Sequence, residues 1–308
     1  MRIIRRALTA TWQNKFLWVL GLLSFGFSNY GFINFFFNNP DRFGRLFGIK
    51  IFQIETSPNV IMFVLFLASL LLVSVLIYLS SLSRAGIITA ADRVYTKKSA
   101  TLKKSLSAAL KYVWLLVSLL IITTAVLFGF AVMLILPPAY LYSVGFFWKA
   151  MILGGLALII FIPFFITVSL TSIMAANFIV LGNMGLGRAI ISGFELFVRH
   201  WITILLFAGM ILFVNVVLIF ATVLILTLIF IPYLVSMWVY RQSLDPGLST
   251  ILFFITSFVS SLTTILVGSF ISAWQTVAWT YVWQELVGME NTKEEEPSHS
   301  IVIEPTVS

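Results

Sequence analysis

Six long runs of this chain contain no Asp, Glu, Lys, Arg or His, and they limit the possible folds more than any other feature. They cover about Phe16 to Phe37, Val60 to Leu82, Tyr112 to Leu136, Ala150 to Val180, Trp201 to Val235 and Thr250 to Val282. A membrane span needs roughly 20 mainly apolar residues. In hydrocarbon every backbone N–H and C=O must find a partner within the chain, so uninterrupted runs of this length read as helices. Water-soluble packing is excluded by amount. Of 308 residues 60% are hydrophobic and 10% are charged, whereas a soluble domain carries roughly 25% charged residues. The expected fold class is therefore an all-α membrane protein with six transmembrane helices.

The fifth run is the longest. From Trp201 to Pro232 a helix would rise about 48 Å, more than a hydrocarbon core of about 30 Å. Only Asn215 interrupts it, so one tilted helix bent near Pro232 fits better than two spans. Pro163 in "FIPFFI" is expected to bend the fourth span likewise.

The net charge is +8, and its placement matters more than its size. Arg2, Arg5, Arg6 and Lys15 precede the first span. Arg84, Arg93, Lys97, Lys98, Lys103, Lys104 and Lys111 lie between the second and third. Arg188 and Arg199 separate the fourth and fifth, and Lys293 follows the sixth. The opposite connections hold only Arg42, Arg45, Lys50, Lys149 and Arg241. The positive-inside rule then puts both termini in the cytoplasm. A basic segment beside a membrane attracts anionic lipid at about 1 kcal/mol per Lys or Arg. Arg5, Arg6, Lys97, Lys98, Lys103 and Lys104 are the candidate contacts, with bare topology as the simpler reading. Membrane lipids, anionic ones included, and an unidentified membrane protein are the expected partners. Nucleic acid is not, since no folded basic module is visible.

The opening "RRALTATWQNKFLWVLGLL" has no A-x-A-like site after it, and its apolar run exceeds the 7–15 residues of a signal core. Its pattern also returns, in "KKSLSAALKYVWLLVSLL" (103–120) and "GRAIISGFELFVRHWITILL" (187–206). Each stretch has basic residues, then small and hydroxyl residues, then an aromatic, then a span. Ile4, Leu8 and Trp12 share a helical face, as do Leu102, Leu106, Ala109 and Val113, and Ile190, Phe194, Phe197 and Trp201. Charged residues lie opposite, the pattern of amphipathic helices at a membrane interface. The chain thus reads as one membrane domain, 1–288. It has three repeated units of interfacial amphipathic helix plus helical hairpin, at about 1–95, 96–185 and 186–288. Residues 289–308 read as a disordered acidic cytoplasmic tail.

The stretch "MAANFIVLGNMGLGRAIISGFELFVRHWITILL" (174–206) resembles a signature of prokaryotic membrane proteins related to the membrane domain of glycerophosphodiester phosphodiesterases. Ala175, Ala176, Ile179, Val180, Gly182, Gly185, Ala189 and Ser192 occupy the signature's places. Leu181 stands where an acidic residue is common. The resemblance implies a helical domain in a prokaryotic cytoplasmic membrane. It implies no hydrolase activity, because the polar segments are too short to build the catalytic barrel.

Chemistry-bearing residues are few. With no Cys and two His, His200 and His299, both outside the spans, thiolate and intramembrane metal chemistry lack ligands. No cofactor is expected. "GNMGLG" (182–187) follows a span rather than a strand, so a turn fits it better than a phosphate loop. Glu195 and Arg199 fit an exposed i,i+4 pair. Asn29, Asn34, Asn177, Asn215 and Gln275 lie in or near spans, where polar side chains usually bond across helices. Asn215 and Gln275 are the candidate in-membrane contacts. The leading functional expectation is a non-enzymatic scaffold or assembly factor. The alternative is a channel or facilitator for an uncharged or lipid-like substrate, and a membrane enzyme ranks third.

Overall fold

The structure, a computed structural model, describes residues 2–28, 58–239 and 246–295. Among these residues all regular structure is helical. The elements are α1 (Arg2–Gln13), α2 (Phe16–Ser28), α3 (Pro58–Tyr95), α4 (Leu102–Leu110), α5 (Val113–Ser143), α6 (Phe147–Val180), α7 (Leu186–Arg199), α8 (Trp201–Val239) and α9 (Pro246–Glu295). Five of them, α3, α5, α6, α8 and α9, are long and apolar enough to cross a membrane. Of the first expected span, Phe16–Ser28 is helical, and its continuation with Asn29 and Asn34 lies outside the described residues.

Three times only one or two residues separate the end of a short helix from the start of a longer one: α1 from α2, α4 from α5, α7 from α8. The long apolar runs of α5, α6 and α8 are unbroken helices. Pro137 and Pro138, Pro163 and Pro232 lie inside them. Two elements extend past their expected ends. α3 continues through Arg84 to Tyr95, and α9 passes Gly288 to reach Glu295. A charged residue ends an apolar stretch without ending a helix, because the i→i−4 ladder does not depend on side-chain polarity. Residues 296–308 of the expected tail lie outside the described residues.

α5 and α6 form a hairpin, α3 lies beside α2 and α4, and α9 packs on α1, α2, α3 and α8. The α5–α6 turn uses Gly145 at φ +83, a backbone region that glycine enters without steric cost. Burial is concentrated at one end of the bundle. There Leu17 and Leu20 of α2, Ala85–Ala91 of α3, Met174–Val180 of α6 and Ala273–Trp283 of α9 join one core with α1, α4 and α7. Gly21 and Gly193 allow the tightest approaches. A Cβ on Gly21 would collide with the backbone carbonyl of Ser269, and one on Gly193 would stand 2.9 Å from Ala175 N.

Towards the bundle the short helices bury mainly small residues, with Leu196 and Phe197 of α7 as the bulky exceptions. Ala7, Ala10 and Thr11 of α1, Ser105 and Ala109 of α4, and Ala189 and Gly193 of α7 are covered. Leu8 and Trp12 of α1, Ile191, Phe194 and Val198 of α7, and Trp201 at the start of α8 are exposed. Close helix contact favours residues with little side chain, which lets backbones approach.

Candidate functional site: a basic groove and a polar cavity

Two concave sites lie at the packed end. The first is an open groove of about 620 Å³ between α1, the end of α3 and α9, lined by Arg5, Arg6, Thr9, Gln13, Lys97 and Tyr281 among others. On α1 Arg5 lies opposite the buried Ala7–Ala10–Thr11 ridge and Arg6 flanks it, and both are exposed. Lys97 reaches the groove because α3 is closed by a left-handed residue. The amides of Lys97 and Lys98 donate to the carbonyls of Val94 (3.1 Å) and Arg93 (2.8 Å), with Lys97 at φ +55. These bonds satisfy terminal carbonyls of the helix, and glycine is the usual residue at such a position. A lysine here is strained, and the turn it closes puts Lys97 on the wall of the groove that Arg5 and Arg6 also line. Tyr281 and Tyr95 form the wall, with ring centroids 5.3 Å apart. Gln284 Nε2 donates to Asp92 Oδ1 at 2.8 Å, which ties α9 to α3 just behind.

The groove thus brings together three of the six candidate lipid contacts. Lys98 is the exposed neighbour of Lys97, and Lys103 and Lys104 stand exposed on α4. None of these three lines the groove. Lys104 Nζ donates to Ser99 Oγ at 3.5 Å. "GNMGLG" forms the turn between α6 and α7. Asn183 there adopts φ +54 and accepts hydrogen bonds from Lys111 Nζ and Tyr112 OH, both at 3.1 Å.

The second site is a polar cavity of about 280 Å³, lined by Arg84, Asn177, Gln275, Ser80, Thr276 and Trp279 among others. Asn215 and Gln275, chosen separately from the sequence, meet across α8 and α9. Gln275 Nε2 donates to Asn215 Oδ1 at 2.8 Å. Their bond leaves Gln275 on the cavity wall beside Arg84 and Asn177, which were not chosen. By sequence Arg84 falls among the charges of the connection between the second and third spans. The only sequence signal for its position was that it follows an apolar run without an intervening turn residue. Among the described residues no group of His, Cys, Asp and Glu could hold a metal ion.

Long apolar helices, with one packed core and polar groups gathered at one end, define a helical multi-pass membrane protein. No family model, no curated protein and no solved structure matches the chain.

Proposed function

We propose that this chain is a non-enzymatic scaffold or assembly factor of a prokaryotic cytoplasmic membrane, holding anionic lipid at its packed end. In this reading it has six spans in three repeated units, with both termini cytoplasmic, and belongs with the proteins it resembles through residues 174–206. The observation that carries the reading is the groove of Arg5, Arg6 and Lys97. Three cations near an anionic leaflet contribute roughly 3 kcal/mol together. Exposed Leu8 and Trp12 beside them suit a helix lying in the interface.

The test is lipid enrichment around the full chain in nanodiscs of mixed phosphatidylglycerol and phosphatidylcholine. The wild type should concentrate phosphatidylglycerol, and the triple variant Arg5→Gln, Arg6→Gln, Lys97→Gln should lose at least about fivefold of that enrichment. Equal enrichment in both would refute the reading. The Asn215–Gln275 pair favours a second reading, a facilitator for an uncharged or lipid-like substrate. Flux into liposomes that disappears with Asn215→Leu would support it. No flux with any solute or lipid would reject it.

A further inference from the structure

The polar cavity involves different residues from the groove, and its chemistry goes beyond lipid attraction at a surface. Arg84 lies well inside α3, with eleven helical residues after it, and is partly buried. A guanidinium stays protonated in proteins and offers five donors. In apolar surroundings it costs several kcal/mol unless an opposite charge meets it. Among the described residues Arg84 makes no ion pair and no hydrogen bond. Among the described residues no carboxylate lines its cavity. Asp92 is two turns further along α3 and accepts from Gln284. Glu195 is exposed on α7, and Glu285 lies ten residues beyond Gln275 on α9, about 15 Å along the axis.

Asn177, on the same wall, is 2% exposed. Its Nδ2 donates to Ile173 O at 3.0 Å, which fixes the amide orientation. Its Oδ1 is buried and has no hydrogen-bond partner. A buried acceptor in that state costs about 1–3 kcal/mol. Among the described residues the cavity therefore offers a cation lacking an anion and a carbonyl oxygen lacking a donor.

A water could satisfy Asn177 but not the charge. A bare carboxylate could satisfy the charge but has no proton for Asn177. Both are met by a phosphate anion that also bears a hydroxyl. Its charged oxygens accept from the guanidinium, whose fork matches phosphate geometry, and its O–H donates to Asn177 Oδ1. The geometry points to a binding site for such a phosphate, with Arg84 as the anion partner and Asn177 as the hydroxyl acceptor. Two sources supply this chemistry: free hydrogen phosphate, through its P–OH, and a phosphodiester lipid with a hydroxylated headgroup.

The experiment uses the full chain in phosphatidylcholine nanodiscs in phosphate-free buffer and follows the thermal midpoint. One arm adds inorganic phosphate. Another includes phosphatidylglycerol, and a third includes phosphatidylethanol, which has the same charge but no hydroxyl. The wild type should be stabilised by phosphate, or by phosphatidylglycerol more than phosphatidylethanol; which arm responds identifies the source. Arg84→Gln should weaken that binding at least about tenfold. Without anion it should be no less stable than the wild type, since it loses an unpaired charge. Asn177→Leu should respond equally to phosphatidylglycerol and phosphatidylethanol where lipid is the source, and lose the phosphate response where phosphate is. The triple variant of Arg5, Arg6 and Lys97 should keep the wild-type response, which separates this site from the groove. The proposal is overturned if neither anion shifts the wild type, if Arg84→Gln keeps the shift, or if the groove variant alone abolishes it. It is also overturned if Arg84→Gln is destabilised to the same extent with and without anion, which would make the arginine structural.

Discussion

The two ends of the long helices follow different packing rules. At the packed end Leu20, Ile87, Met174, Ile179 and Trp274 are fully buried, and the backbones of α2 and α9 touch at Gly21. In the other halves Phe128, Leu158, Leu228 and Phe258 are each more than 60% exposed, and among the described residues no atom lies within 4 Å of a Cβ added to Gly129 or Gly155. In water the open halves would aggregate. In lipid an exposed Leu costs nothing, because acyl chains are as apolar as its neighbours, and helices associate through close fit and polar contacts instead. Tertiary stability therefore resides at one end, where the groove and cavity are also located.

Substitutions at matched positions can break this contrast. The largest effect is expected from Gly21→Val, where the new side chain meets the Ser269 carbonyl. A loss of about 3 kcal/mol or more, read as a lowered unfolding midpoint in detergent, should be set against no loss for Gly129→Ala or Gly155→Ala. Those two remove a helix glycine in open space and should stabilise by up to about 1 kcal/mol. Leu20→Ala should follow at about 2 kcal/mol or more, while Leu158→Ala stays near zero; similar losses at both ends would abolish the distinction. Gly193→Ala should cost about 1–3 kcal/mol, because the added methyl presses on Ala175 N and Thr171 O. Asn215→Leu should cost about 1 kcal/mol, the scale of a hydrogen bond between helices in membranes. A double-mutant cycle with Gln275→Leu would isolate that coupling. The smallest and most informative change is Lys97→Gly. Relief of the left-handed strain should stabilise the α3 end by about 0.5–1 kcal/mol, while phosphatidylglycerol enrichment falls.

The contrast also explains what could be read in advance. The apolar runs announced their helices because they are long and uncharged, and even the single long helix from Trp201 followed from one polar interruption, Asn215. The short helices were visible through their basic, small and aromatic residues. Their buried ridge was not. Ala109 falls on the apolar face, but Ala7, Ala10, Ser105 and Gly193 carry little hydropathy, and large residues such as Trp12 and Phe194 dominate any apolar pattern. What selects the ridge is backbone approach, and that depends on which helix lies opposite. The groove was half legible. Arg5, Arg6 and Lys97 were candidates as charges, but nothing local in the sequence brings residue 97 beside residue 5; a strained turn and the docking of α9 do so. Arg84 was read as a connection residue because charge was used to bound the spans.

The absence of cysteine from the chain allows the most direct test of the central claim, that the packed end holds anionic lipid. Single cysteines at Thr9, in the groove, and at Val144, in the α5–α6 turn, can each carry one fluorophore. Quenching by headgroup-labelled phosphatidylglycerol is then compared with quenching by identically labelled phosphatidylcholine. Preferential quenching by phosphatidylglycerol at position 9 and not at 144, lost when Arg5, Arg6 and Lys97 become Gln, is the expected result. Equal quenching by the two lipids at position 9, or the same preference at both positions, would contradict it.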